Sequence, residues 1–359
     1  MKALGVLCML AASAQADPVQ LRANIFAPAG VLALEAGGKT DAVSAETLVW
    51  VGDSTGDVLV IAVRGRALHD RVRGTLGRFV ATLGAMRPVH VDGASARIRL
   101  PRRFDVEAIA GIPVAPEFGA HAWDWVVGGR VARRLGDYGS AGIALLEQRE
   151  MGRLATEEVG GDLGLALTER SDLATKLAYD LANPGVAEAT ARATYRRGAI
   201  RTEVFGGYRA ASHLLPATSL FTVLGDTPSW RAGAIATWRA APRLDVIAEL
   251  GIPRIATRAT LRLDARGARS ITGELRRDDG WTGARVAGRS TLPYALAIVV
   301  EAELVKPDGR EVVWPWGIVA VRRDVGAWTG ALAIEASASP ADRYRVDAIA
   351  QLGRRWGIP

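Results

Sequence analysis

The stretch AEATARATYR, residues 187–196, alternates strictly between polar side chains and small or aromatic ones. Successive side chains of a β-strand point to opposite faces of the sheet, so this pattern places all the polar groups on one face. The same two-residue period recurs from residue 57 to the C-terminus, for example in Phe104–Ala108 and Leu244–Leu250. Helical periodicity is hard to find after Asp17. The sequence therefore predicts an all-β protein.

Short turn signals that contain Gly, Pro or Asp separate the alternating runs. Examples are Pro101–Arg103, Gly136–Gly139 and Arg197–Gly198. The connections at the opposite strand ends are often longer, and the longest spans residues 210–229. Short turns that alternate with longer loops, on strands of about 10 residues, are typical of a transmembrane β-barrel.

The chain length predicts how many strands such a barrel contains. At roughly 20 residues per strand with its connection, residues 17–359 predict a single antiparallel transmembrane β-barrel of about 16 to 18 strands. Pro28, Gly30, Gly37 and Gly38 interrupt the N-terminal section. We expect only one or two irregular strands there, with a wide loop near residues 36–44. No linker and no change of composition divides the chain, which predicts one barrel domain.

The first sixteen residues have the features of a secretory signal peptide. Met1-Lys2 supplies a positive charge, Ala3–Ala12 is a short apolar segment, and Ala14-Gln15-Ala16 forms a small-residue cleavage site. Removal of residues 1–16 takes away Cys8, the one cysteine of the chain. An exported chain of this size without a disulfide fits a bacterial envelope protein. We therefore expect export to the outer membrane.

The charges favour a water-filled lumen over a soluble sandwich. The 359-residue chain has 45 Lys and Arg against 38 Asp and Glu, a formal net charge of +7. No apolar stretch is long enough for a transmembrane helix, and this charge pattern also argues against a disordered chain. Charges of both signs lie within the alternating runs, on one face. A dry core does not tolerate unpaired charges of this kind, whereas a water-filled lumen does.

These intrastrand charges are the predicted pore-lining residues. They comprise Arg97, Arg99, Asp105, Glu107, Arg192, Arg201, Glu203, Glu249, Arg258, Arg262, Glu274, Arg276, Glu301, Glu303, Arg345 and Asp347.

The ten tryptophans provide a further argument for a membrane barrel, because most of them lie at strand ends next to turns. Aromatic girdles of membrane barrels occupy such positions at the two lipid–water interfaces. The set consists of Trp50, Trp123, Trp125, Trp230, Trp238, Trp281, Trp314, Trp316, Trp328 and Trp356.

Two short motifs resemble those of porin-like bacterial outer-membrane β-barrel proteins. Gly77-Arg78-Phe79-Val80 is followed by His90-Val91-Asp92-Gly93-Ala94 and a charged hairpin through Pro101. This order resembles the Gly-Arg-x strand and Asp-Gly-Ala hairpin of the alginate-export type and of the exopolysaccharide-secretion barrels of myxobacteria. The layout is similar along most of residues 57–356. The chain departs from such barrels at its end. They commonly finish on an aromatic residue, whereas here Gly357-Ile358-Pro359 follows Trp356.

The sequence does not indicate an enzyme. Gly52-Asp53-Ser54-Thr55-Gly56 matches G-x-S-x-G, but a nucleophile elbow requires a helix after the serine, and Asp57–Val63 has the pattern of a strand. The dipeptide Ser212-His213 lies in the longest loop without the polar neighbours that a hydrolase site needs. We predict no catalytic residue, although a barrel-embedded hydrolase at these two positions stays open as a third hypothesis.

Metal and cofactor sites have no support in the sequence either. The histidines are scattered and form no H-x-x-x-H pair, and no phosphate-cradling glycine loop occurs. The four are His69, His90, His121 and His213. Nucleic-acid binding is not expected of an exported chain without a basic helix or a stacking platform.

The arginines suggest what a lumen would pass, because guanidinium groups present fixed donors to carboxylates and phosphates. Acidic residues on the same face would partly neutralise them through cross-strand pairs. An Arg bias also arises from codon composition, and loop Arg binds acidic lipid headgroups, so these explanations remain open. The cationic subset expected to lower the barrier for anions comprises Arg97, Arg99, Arg192, Arg258, Arg262 and Arg276.

The sequence thus favours an outer-membrane channel that passes small anionic solutes or an acidic polysaccharide by passive diffusion. The loop at residues 210–229 is expected to constrict it. The alternative is a non-conducting structural or adhesion barrel whose loops bind an envelope secretion or motility partner. Both hypotheses imply contact with membrane lipid and no cofactor.

Overall fold

The computed structural model of the chain describes residues 19–27, 31–39, 42–52, 56–114, 124–210, 213, 228–253, 258–265, 269–278, 280–339 and 343–356. In this part of the chain, twenty-two β-strands form one sheet. The strands are β1 (Val19–Ala27), β2 (Val31–Lys39), β3 (Val43–Val51), β4 (Gly56–Ala67), β5 (Val72–Ala81), β6 (Val89–Leu100), β7 (Phe104–Pro113), β8 (Val126–Arg134), β9 (Gly139–Glu150), β10 (Arg153–Thr168), β11 (Ser171–Asp180), β12 (Gly185–Arg197), β13 (Ile200–Arg209), β14 (Ser229–Ala241), β15 (Leu244–Pro253), β16 (Arg258–Ala265), β17 (Arg269–Asp278), β18 (Trp281–Leu292), β19 (Leu296–Pro307), β20 (Trp314–Val325), β21 (Trp328–Ser337) and β22 (Arg345–Trp356).

The sheet closes on itself. Each strand pairs antiparallel with the next one along the chain, as β1 does with β2 and β21 with β22. The first and last strands also pair, from Val19 opposite Trp356 to Ala27 opposite Ala348. A sheet whose first and last strands are hydrogen-bonded has no free edge, which is the definition of a barrel. The predicted all-β, antiparallel barrel is confirmed.

The number of strands is higher than the sequence predicted. The 22 strands between Val19 and Trp356 use about 15 residues each with their connections, because many turns are only two residues long. The N-terminal section contributes three strands instead of one or two. Strand β2 continues through Gly37 and Gly38, which pair with Glu46 and Ala45 on β3, so the expected wide loop near residues 36–44 is replaced by a short connection. The estimate of 16 to 18 strands was wrong because it assumed longer connections.

The two ends of the barrel differ in their connections. The connections that follow even-numbered strands are short, such as residues 101–103 and 198–199, and we call this end the turn end. The connections that follow odd-numbered strands include the long ones, such as residues 82–88 and 308–313, and we call this end the loop end. This alternation is the layout that the sequence predicted. The first residue of β1 and the last residue of β22 both lie at the turn end.

Several sequence predictions fall outside the described residues. These are the signal peptide at residues 1–16 and most of the loop at residues 210–229, including Ser212. The predicted signal peptide and the predicted constriction by that loop therefore stay predictions. Among the described residues, no helix combines the length and the hydrophobicity that a bilayer-crossing helix needs.

The outer face of the sheet is apolar. On β9, Ile143 is 68% exposed on the outer face, whereas Leu146, three residues further along the strand, is fully buried on the inner face. The stretch at residues 187–196 follows the same rule from Glu188 onward, since Glu188 and Arg192 form inner-face ion pairs while Tyr195 is exposed on the outer face. Exposed apolar side chains around the outside are the arrangement of a barrel that sits in lipid.

A row of three glycines lies across neighbouring strands of the barrel wall. Gly77, Gly93 and Gly111 are direct register partners across β5, β6 and β7. A Cβ atom on Gly93 would lie 2.1 Å from the carbonyl oxygen of Ala110, and Gly77 has a φ of +118° that other residues rarely adopt. Only glycine permits this close approach of neighbouring backbones, and glycine kinks are a known means of turning a barrel corner.

Candidate functional site

The connection between β5 and β6, residues 82–88, folds against the inner wall of the barrel, and we call it the inner loop. Leu83 and Met86 are buried in an apolar cluster with side chains from strands between β4 and β12. Inward-facing glycines provide the space. A Cβ atom on Gly128 would lie 2.7 Å from Leu83 Cδ1, and one on Gly160 would lie 2.4 Å from Met86 Cε. The inner loop therefore occupies part of the barrel interior.

An ion pair anchors the inner loop. Arg87 Nε donates a hydrogen bond of 2.7 Å to Glu158 Oε1 on β10, and Glu158 is only 1% exposed. Arg87 Nη2 also donates to the carbonyl oxygen of His213 at 2.9 Å. The His213 ring in turn lies 3.6 Å from the Asp180 carboxylate at the end of β11. Through Arg87, the inner loop thus contacts both β10 and the long loop that contains His213.

Fourteen of the sixteen predicted pore-lining residues have described side chains, and all fourteen occupy inner-face positions of their strands. They are Arg97, Arg99, Asp105, Glu107, Arg192, Arg201, Glu203, Glu249, Glu274, Arg276, Glu301, Glu303, Arg345 and Asp347. The other two, Arg258 and Arg262, lie on β16, whose side chains are outside the described part of the structure. Most members of the described set meet in small ionic groups.

The first group surrounds Asp105, near the turn end. This carboxylate is 5% exposed, and guanidinium nitrogens of Arg97, Arg99 and Arg134 lie 3.4, 3.8 and 3.5 Å from it. The three cations come from β6 and β8, on either side of β7. One negative charge therefore faces three positive charges, and Arg97 lies 3.6 Å from a further carboxylate, Glu107.

The adjoining turn carries a carboxylate that binds two arginines. Asp70, between β4 and β5, accepts a hydrogen bond of 2.7 Å from Arg73 Nε and lies 3.3 Å from Arg99 Nη1. The hydrogen bond from Arg73 lowers the pKa of Asp70 below its ordinary value. Asp70 is therefore ionised at neutral pH and compensates part of the arginine charge at this end.

A second group repeats this excess of arginine on the wall formed by β12 and β13. Glu203 lies 3.1 Å from Arg192 and 3.3 Å from Arg201. One carboxylate is again shared by two guanidinium groups. Arg345 and Asp347 form an ion pair at 2.6 Å on β22.

The third group has the opposite balance and lies near the loop end. Arg276 contacts Glu274 at 3.0 Å and hydrogen-bonds to Glu303, while Arg285 lies 2.6 Å from Glu301. Three carboxylates thus face two guanidinium groups. The charge of the inner wall is uneven along the barrel axis, with arginine in excess in the two turn-end groups and carboxylate in excess here.

Two important inner-wall residues were missed by the sequence reasoning. Arg130 on β8 makes a bidentate contact with Asp162 on β10, with hydrogen bonds of 2.9 and 2.6 Å, and donates a third of 3.0 Å to Glu107. Both residues follow a Gly-Gly pair, which interrupts the alternating pattern. The shared Gly-Gly pair is the signal that could have identified them. Gly128-Gly129 precedes Arg130, and Gly160-Gly161 precedes Asp162.

Three tryptophans that the sequence assigned to the interfacial girdles point into the barrel instead. Trp316 Nε1 donates a hydrogen bond of 2.6 Å to Glu335, and the guanidinium of Arg276 lies 5.7 Å from the ring centroid of Trp281. Trp314, two residues before Trp316 on β20, shares its face. The girdle assignment was wrong here because a position at a strand end does not decide whether the side chain points inward or outward. That is decided by the two-residue alternation along the strand.

Other tryptophans occupy the outer face as expected. Trp230 and Trp238 are both exposed on β14, one near each end of the strand. Eight residues separate them, which corresponds to about 27 Å along a strand at roughly 3.4 Å per residue. With the usual tilt of about 40°, this spacing is close to the height of the apolar band of a membrane barrel.

The described residues offer no metal centre, since they contain no group of three His, Cys, Asp or Glu side chains suited to a metal ion. The G-x-S-x-G stretch is only partly described, at residues 52 and 56. Strand β4 begins at Gly56, so a strand follows the motif, as the sequence indicated.

Structural comparisons identify barrels of the same kind. No family model and no curated protein matches the sequence. The translocation pore of the P pilus usher PapC is similar with a TM-score of 0.53 and 9% identity, over 96% of this chain and 100% of that one. Wzi of Escherichia coli, described as a carbohydrate-binding β-barrel involved in group 1 capsule assembly, has a TM-score of 0.46 and 10% identity. The match covers 99% of this chain and 88% of Wzi. OpdK of Pseudomonas aeruginosa, solved with vanillate, has a TM-score of 0.41 and 8% identity. The match covers 95% of this chain and 98% of OpdK. This chain has the fold of porin-like outer-membrane β-barrels.

Proposed function

We propose that this protein is an outer-membrane channel that passes small anionic solutes, or an acidic polysaccharide, by passive diffusion. The observation that carries the proposal is the sharing of carboxylates among arginines on the inner wall. Asp105 is shared by three guanidinium groups and Glu203 by two. Each carboxylate compensates one positive charge, so the remaining charge is directed at whatever enters the lumen.

The uneven charge along the axis adds a direction to this proposal. Arginine is in excess in the groups at Asp105 and Glu203, near the turn end, whereas carboxylate is in excess around Arg276, near the loop end. Membrane barrels of bacteria have short turns on the periplasmic side and longer loops outside the cell. An anion would therefore meet its most favourable potential at the periplasmic mouth. This arrangement suits the capture of anions that leave the cell.

The test is the reversal potential of the purified protein in planar lipid bilayers under a tenfold KCl gradient. We expect stepwise conductance with a reversal potential on the anion-selective side. Cation selectivity, or silent bilayers from protein that still migrates as a folded barrel on unheated gels, would contradict the proposal. The double variant Arg192→Gln with Arg201→Gln should weaken the anion selectivity. An outer-face control, with one charge removed, is Arg277→Gln, since Arg277 is exposed on the outer face, where it hydrogen-bonds to Asp308 at 2.6 Å.

A second candidate function is a non-conducting structural or adhesion barrel whose loops bind an envelope secretion or motility partner. The inner loop favours it, because Leu83 and Met86 fill part of the interior with apolar side chains. Barrels of 22 strands are known with plugged lumens. Silent bilayers together with co-purification of a periplasmic or surface protein would select this function. Neither candidate involves an enzymatic step or a cofactor.

A further inference from the structure

A cavity of about 210 Å³ lies between the inner loop and the arginines of the turn end. Its apolar side is formed by the buried side chains of Phe79, Leu83 and Ile109. Its polar side is formed by arginines on β4, β5 and β6, namely Arg64, Arg73 and Arg97. The cavity therefore combines an apolar floor with a cationic wall inside one small volume.

Arg97 has an unsatisfied hydrogen-bond donor. Its nearest carboxylate oxygens, on Asp105 and Glu107, are 3.4 and 3.6 Å away, and its buried Nε has no hydrogen-bond partner. Arg64 and Arg73 differ, because their guanidinium groups are hydrogen-bonded to Glu46 at 2.5 Å and to Asp70 at 2.7 Å. A guanidinium has five N–H donors, and a buried donor without a partner is costly. An anion in the cavity would supply the missing acceptor.

Among the described residues that line the cavity, the one acid, Glu107, does not oppose an anion strongly. Glu107 accepts a hydrogen bond of 3.0 Å from Arg130, which lies on the neighbouring strand β8. The hydroxyl-bearing residues Thr75, Thr82 and Ser95 complete the polar lining. They add donors that suit a carboxylate oxygen.

We propose that this cavity binds a small carboxylate with an apolar body about the size of benzoate. An apolar cavity of about 150 Å³ admits benzene, so the present volume leaves room for one ring and a carboxylate. The carboxylate binds Arg97, and the ring packs against Phe79, Leu83 and Ile109. This inference deepens the proposed function, because it names the class of anion that the channel selects.

Calorimetric titration of the full-length protein in detergent micelles tests the inference with three probes. Benzoate has both the charge and the ring, acetate has only the charge, and benzyl alcohol has only the ring. We expect benzoate to bind at least roughly tenfold more tightly than either of the others. Equal affinities for benzoate and acetate would overturn the proposal.

Two variants probe the two sides of the cavity. Arg97→Gln should weaken benzoate binding by roughly tenfold or more, whereas Arg322→Gln, an equal charge change on distant β20, should leave it unchanged. Ala81→Leu fills the cavity from its wall without changing any charge, and should abolish benzoate binding. Heat-dependent gel mobility identifies folded protein for each variant. Benzoate affinity that is unchanged in folded Arg97→Gln and Ala81→Leu protein would refute the site.

Failure of this site and failure of the proposed function give different results. If the barrel conducts with anion selectivity but binds benzoate no better than acetate, the proposed site is refuted and the proposed channel function is supported. A silent barrel that binds benzoate in the Arg97-dependent manner keeps the site and loses the channel function.

Discussion

Arg87 donates a hydrogen bond of 2.7 Å to Glu158, a residue 71 positions further along the chain. The two lie on elements that are not neighbours in the sheet, because the inner loop joins β5 to β6 whereas Glu158 belongs to β10. They meet only because the sheet curves round and the inner loop turns into the interior. This pair therefore holds the inner loop against the wall at β10.

Removal of the Glu158 carboxylate should loosen the inner loop. Glu158→Ala removes the carboxylate that the part-buried guanidinium of Arg87 binds and leaves its hydrogen bond to His213 in place. Loss of one partner of a buried ion pair typically costs about 3–5 kcal/mol of stability. We expect a lower urea midpoint in micelles and a larger single-channel conductance. The control is Asp308→Ala, which breaks an exposed pair with Arg277 and should cost about 1 kcal/mol or less.

Replacement of both partners separates charge burial from loop position. In the double variant Arg87→Met with Glu158→Met, no charge is left buried, so most of the stability should return. An unchanged conductance in folded Glu158→Ala protein would show that the ion pair does not restrict the lumen.

Gly160 should not tolerate a side chain. A Cβ atom there would lie 2.4 Å from both the carbonyl oxygen of Leu177 and Met86 Cε. Gly160→Ala is expected to destabilise the barrel by about 1–3 kcal/mol in urea unfolding, because a backbone atom cannot easily move aside. Gly164→Ala is the matched control on the same strand and face, with nothing within 4 Å of its Cβ position. Equal effects of the two substitutions would show that the inner loop does not press on β10.

Neutralisation of Asp105 should strengthen anion selectivity. Asp105→Asn removes the negative charge that three guanidinium groups share and keeps the size of the side chain. The reversal potential in a KCl gradient should shift further to the anion side. Asp308→Asn, an equal charge change in a loop-end connection, should have little effect. A shift towards cation selectivity in the Asp105 variant would mean that these arginines do not face the conducting path.

Tryptophan fluorescence can distinguish the inner face from the outer face. Trp316 is hydrogen-bonded to the inner-face carboxylate of Glu335, whereas Trp238 is exposed on the outer face. In lipid vesicles, Trp316→Phe should reduce the fraction of emission that aqueous iodide quenches. Trp238→Phe should instead reduce the quenching by brominated lipid chains. The reverse pattern would mean that the two faces have been interchanged.

The candidate site could be predicted in part, because the alternating pattern states which residues share a face. Glu188, Arg192 and Glu203 fall on the inner face as their positions in the pattern require. Arg130 and Asp162 were missed because glycine pairs break the pattern beside them. The inward direction of Trp316 was missed for a different reason, since its strand-end position suggested a girdle.

The amino-acid sequence determined by itself that this chain forms strands, and which side chains of one strand share a face. Alternation is local, because successive residues of a strand point to opposite faces. Tertiary structure decided what no local pattern encodes. Closure of β1 on β22, the strand number, and the inner loop over Gly128 and Gly160 all depend on groups far apart in the chain. Which arginine shares which carboxylate also depends on register, and register is fixed only when the strands pair.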